Sequence, residues 1–125
     1  MILGFQKQFV PKILSGEKIH TIRRDHANRW KPGKIIHFST GVRTKDYDQF
    51  AIGRCTSTSE IIINPAKERV FISIGSGLVY RGEGVLAFAK NDGFDSLEDF
   101  WKWFHQPFEG KLIHWTLFAN ERRGE

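Results

Sequence analysis

Lys18, Thr21 and Arg23 are the residues of this 125-residue chain whose types and spacing best suit chemistry on a polar or anionic ligand. They stand in the run Gly16-Glu17-Lys18-Ile19-His20-Thr21-Ile22-Arg23. A lysine becomes a general base when burial or a neighbouring cation lowers its pKa, and a threonine hydroxyl within its reach then becomes a nucleophile. An arginine beside them holds an anion or a polarised carbonyl. A carboxylate would orient the pair or carry the proton onward, and Asp92, in Ala89-Lys90-Asn91-Asp92-Gly93-Phe94, is the candidate. These are the predicted catalytic residues, Lys18, Thr21 and Asp92, with Arg23 as a ligand-binding residue. Arg24, Trp30 and Lys31 join Arg23 in that second group. Trp30 lies between Arg29 and Lys31, where its ring could stack on a base while the cations meet phosphate.

The element that must position this site is a strand over residues 19 to 23. Side chains in a strand alternate between faces, so Thr21 and Arg23 share one and His20 and Ile22 take the other. Lys18 is out of phase with Thr21 and can join it only from the turn after Gly16. That turn follows a short predicted helix over roughly 9 to 15, with Phe9/Ile13 and Val10/Leu14 as i, i+4 pairs, Pro11 in the first turn and Gly16 just past the end.

Further strands are predicted at 2 to 6, 34 to 39, within 50 to 63, at 70 to 74, at 85 to 89 and at 112 to 118. The Pro32-Gly33 turn launches the second of these, and glycines at 75, 77, 82 and 84 read as hairpin turns. A second helix begins at Ser96, which caps it, with Leu97, Phe100, Trp101 and Phe104 on one face and Pro107 beyond its end. Asp92 then falls in the loop between a strand and this helix. Many short strands with two helices predict an α+β domain, a small and partly closed β-barrel with the helices packed against it. The predicted domain covers residues 1 to 119, followed by a charged tail at 120 to 125.

The charge is uneven. Residues 1 to 54 hold eleven Lys/Arg and four acids, a net of +7, whereas residues 55 to 125 hold eight bases and ten acids, a net of −2. Positive potential concentrated around Lys18 and Arg23 suits a phosphate-bearing partner. The five histidines show no HExxH or paired helical spacing and Cys55 stands alone, so no metal and no disulfide framework is expected. The glycine cluster lacks a phosphate-loop ending and no GxSxG elbow is present, so no cofactor is expected. With a single cysteine, no leader-like N-terminus and no long apolar run, the expectation is a cytoplasmic protein with no membrane partner.

Phe9-x3-Ile13-Leu14-x-Gly16-x-Lys18-x2-Thr21-Ile22-Arg23, the following Pro-Gly turn and strand, and Asp92-Gly93-Phe94 before a capped helix together resemble the ASCH (activating signal cointegrator homology) domain of the PUA-like superfamily. The resemblance is strongest over 9 to 38 and again at 89 to 104. It implies a PUA-like β-barrel with a cleft near the first helix and the GxKxxTxR segment, and an RNA or nucleotide-like ligand. One bacterial branch of that family, similar in size, hydrolyses N4-acetylcytidine. Its lysine and threonine would correspond to Lys18 and Thr21, its arginine to Arg23, and its glutamate to Asp92, one methylene shorter. The resemblance therefore implies binding of RNA or a nucleoside or nucleotide, with amide hydrolysis on a modified pyrimidine nucleoside as one alternative and ribonuclease activity as another.

Overall fold

A computed structural model of the protein describes residues 1–74 and 77–118. Seven strands form one mixed sheet: β1 (Ile2–Gly4), β2 (His20–Arg23), β3 (Ile35–Thr40), β4 (Asp48–Asn64), β5 (Arg69–Ile72), β6 (Leu78–Arg81) and β7 (Phe108–Leu117). Three helices accompany it: α1 (Val10–Ser15), α2 (Val85–Asn91) and α3 (Leu97–Trp103).

The 17-residue β4 organises the sheet, because its two halves are paired differently. Near its start Gly53 lies opposite Ile36 of β3 on one side and Leu117 of β7 on the other. Near its end Ile61 lies opposite Ile72 of β5 and Gly110 of β7. β1 adds to β3 in parallel, β2 adds to β7 antiparallel, and β6 adds to β5. Alternation along β4 sends Ile61 and Ile63 inward, fully buried, while Ile62 faces outward. The core is strongly aromatic: Phe38 meets Trp115 edge-on at 5.0 Å and stacks with Phe5 at 5.9 Å, while Phe100 packs against Phe88, Phe94 and Phe104. Each such side chain taken from water contributes roughly 1.5–3 kcal/mol.

Among the described residues the sheet does not close into a barrel, which corrects the sequence-based expectation. β1 and β2 end the order β1-β3-β4-β7-β2 and share no backbone ladder. Both are short, and the free edge of each borders an opening. A side chain spans it instead: the Arg23 guanidinium on β2 donates to the Gly4 carbonyl on β1.

Two further expectations are corrected. Residues 85 to 89 are helical, because Val85, Phe88 and Ala89 bury one face at i, i+3 and i+4 spacing, a helical period that the β-branched first residue masks. Leu78–Arg81, to which no strand was assigned, forms the strand β6, paired antiparallel with β5 across the turn that includes Gly77. Gly75 of that stretch and the predicted tail at 120 to 125 lie outside the described residues. The helix ends follow the sequence more closely: Gly16 closes α1 at φ +87°, and the Ser96 hydroxyl accepts from the Asp99 amide at 3.1 Å. No helix among the described residues is long and apolar enough to cross a membrane.

Candidate functional site

The opening between β1 and β2 is a cavity of about 430 Å³, within the range of small-molecule sites. Gly4 and Phe5 line it from β1 and the residue after it, Thr21, Ile22 and Arg23 from β2, Phe9 from the turn before α1, and Asp92, Phe94 and Trp103 from the helical side. Lys18 enters from the segment between α1 and β2, ahead of the regular strand, as its phase required. That segment is pinned at two points. The Lys18 amide donates to the Lys12 carbonyl at 2.9 Å, and the Ile19 amide donates to the Asn91 carbonyl at 2.8 Å.

Lys18 is 2 % exposed, and its amine has three acceptors around it. It donates to the His20 carbonyl at 2.8 Å and to the Asp92 carbonyl, and its third contact, with Asp92 Oδ1, is longer at 3.5 Å. Burial lowers its pKa from the ordinary lysine value, Asp92 opposes that effect, and the Arg23 charge adds to it. Aromatic rings complete its surroundings, with Phe9 at 5.0 Å and Phe5 at 5.8 Å from the amine. The two backbone carbonyls can hold two N–H bonds in either charge state. The third position carries a proton in the ammonium and a lone pair in the amine, so it is the one that titrates.

Asp92 sits at the end of α2, between two helices rather than between a strand and a helix, and it reaches Lys18. Gly93 follows at φ +97°, and a Cβ there would come within 2.8 Å of Lys18 Cδ and 2.9 Å of Phe9 Cδ1. Glycine thus serves both the turn and the room Lys18 needs. Thr21 is 5 % exposed. Its hydroxyl oxygen lies 3.5 Å from Arg23 Nε, at the limit of a hydrogen bond, which leaves the hydroxyl proton free for a base. Arg23 is half-buried and lies over the Phe5 ring, 4.9 Å from its centroid.

The structure therefore brings four of the predicted residues, Lys18, Thr21, Arg23 and Asp92, onto one cavity, and leaves three away from it. Trp30 is buried in the hydrophobic core at 7 % exposure, so its ring is not presented for base stacking. Its loop is folded inward by Asp25, whose carboxylate accepts from the Arg29 amide at 2.8 Å and the Trp30 amide at 2.9 Å. Arg24, the residue after β2, is exposed and lies over the Phe108 ring at 4.8 Å, outside the cavity lining. Lys31 is exposed beyond that loop.

One residue at the site is absent from the sequence-based set. His20 is 2 % exposed and its Nδ1 lies 2.8 Å from Asp92 Oδ1. It lies on the opposite strand face from Thr21, and its link to the site runs through Asp92. No group of three or more metal-ligating side chains occurs among the described residues. Comparison with protein-family models, with curated proteins and with solved structures gives no significant match.

Proposed function

We propose that this chain is an ASCH-type, PUA-like protein whose cleft binds a nucleoside-like ligand, free or within RNA. The observation that carries this reading is the convergence of Lys18, Thr21, Arg23 and Asp92 on one cavity with aromatic walls. Phe5, Phe9 and Trp103 offer apolar surface for a planar base, while the Arg23 guanidinium supplies donors for its carbonyl and ring-nitrogen acceptors.

The test is calorimetric titration with cytidine, N4-acetylcytidine, a cytidine monophosphate and a short single-stranded RNA. Binding is expected, with Arg23→Ala weakening it by about 1.5–3 kcal/mol, the range of a charged hydrogen bond. Affinity for the phosphate-bearing ligands is expected to fall with salt and that for the neutral nucleosides to stay level. No binding of any of the four at low salt would overturn the reading.

The amidohydrolase alternative is favoured by one observation, the buried Lys18 amine with its lowered pKa. In this reading the Thr21 hydroxyl attacks the acyl carbonyl of N4-acetylcytidine and passes its proton to Lys18. The oxyanion faces Arg23, and the C–N bond breaks as Lys18 returns the proton to the departing N4 amine. Water, activated by the same amine, then cleaves the threonyl ester and releases acetate.

A further inference from the structure

We propose that His20 is a positioning residue of the cleft, donating from Nδ1 to Asp92 Oδ1 and so holding that carboxylate back from the Lys18 amine. The inference rests on Lys18 being the working group of the site. One carboxylate oxygen faces two donors at unequal distance, His20 Nδ1 at 2.8 Å and Lys18 Nζ at 3.5 Å. The shorter contact lies within ordinary hydrogen-bond length and the longer at its limit, so the imidazole holds the larger share of that oxygen.

The ring is fixed to do this. Phe88 of α2 stacks on it at 4.9 Å with 27° between planes, and His114 of β7 meets it edge-on at 4.9 Å. α2 thus carries both the ring that orients His20 and, at its end, the carboxylate that His20 holds. The charged and titratable groups packed around Lys18 and His20 are few: Asp92, Arg23 and His114. Burial lowers the His114 pKa, with His20 adding to the effect and Asp92 opposing it. With Asp92 retained by His20, the Lys18 ammonium has two carbonyls and a distant carboxylate to offset its desolvation. Were Asp92 released, it would close on Lys18 and favour the ammonium.

The sign of the effect follows. In lysine-labelled protein followed by 13C NMR, His20→Phe, which keeps the ring and removes the donor, should raise the Lys18 titration by about one pH unit. His20→Asn, whose amide nitrogen can occupy the Nδ1 position, should restore the parent value. In an Asp92→Asn background, His20→Phe should leave Lys18 unmoved, because the action runs through the carboxylate. A merely structural histidine would produce none of this pattern.

The parent protein supplies a second readout that needs no variant and decides the matter if His20→Phe does not fold. Long-range 1H–15N spectra should show the His20 proton on Nδ1. A bare Nδ1, an unmoved Lys18 in His20→Phe, a shift that persists without the Asp92 carboxylate, or failure of His20→Asn to restore it would each overturn the proposal. None of these measurements uses a ligand, so their outcome is separate from that of the nucleoside titrations.

Discussion

Lys18→Met is expected to abolish acetate release from N4-acetylcytidine. The loss should be of the order of 10²–10⁴-fold, the usual contribution of a positioned general base. Removing this buried cation leaves two backbone carbonyls and the Asp92 carboxylate without this donor, at a cost of up to about 3–5 kcal/mol, so release is compared at a temperature where circular dichroism shows the variant folded. Asp92 keeps His20 as a partner when the amine is gone. Thr21→Val should be equally inactive, because it preserves shape and removes the nucleophilic oxygen. In the parent, activity should rise with pH as Lys18 loses its proton and level off below the ordinary lysine value, since desolvation and Arg23 lower that pKa. Comparing release rates for the parent and both variants across pH checks this. Full activity in Lys18→Met would remove lysine from the chemistry.

The largest loss of stability outside the hydrophobic core is expected at Asp25. Its carboxylate accepts two backbone amides and pairs with Lys111 at 3.0 Å, where both side chains are less than a tenth exposed. Asn28 also accepts from Lys111, so one lysine on β7 ties the loop carrying Trp30 onto the sheet. Asp25→Ala would leave Lys111 buried without its counter-charge, at a cost of about 3–5 kcal/mol measured by denaturant unfolding. Desolvation pushes the Asp25 carboxyl up, but the Arg29 and Trp30 amides and Lys111 outweigh it and hold the pKa below the ordinary aspartate value. A carboxyl with a lowered folded-state pKa contributes stability above its unfolded pKa, lost as pH falls through the folded one. The parent should therefore lose stability below about pH 4, and Asp25→Ala should lose less over the same window.

The reach of the sequence can be traced through these residues. Gly16, Lys18, Thr21 and Arg23 were legible because their relation is local: a helix end, a turn and two strand positions of the same phase. Asp92 was legible only as a loop carboxylate ahead of the capped helix, and its reach to Lys18 was not, since 74 residues separate the two and no periodicity links them. His20 was left out of the site for a related reason. Alternation correctly set it opposite Thr21, but Asp92 meets it there and reaches Lys18 with the same oxygen. Trp30 looked like a ligand platform beside two cations, yet Asp25, five residues earlier, turns its loop inward and buries the ring. The helix α2 was hidden by Val85 and the surrounding glycines, which suit strands and turns, while its burial at i, i+3 and i+4 was the better guide. The unclosed sheet was beyond local pattern altogether, because it depends on which edges of short strands meet.

The central claim is that the opening between β1 and β2 is the ligand site. Its most direct test is a titration of 15N-labelled protein with N4-acetylcytidine, followed by amide chemical shifts. The expected result is saturable change concentrated at Gly4, Phe5, Thr21, Ile22 and Arg23, with Asp92 and Gly93 following. Absence of change up to the solubility limit of the nucleoside, or change confined to the opposite face around Arg24 and Lys111, would contradict it.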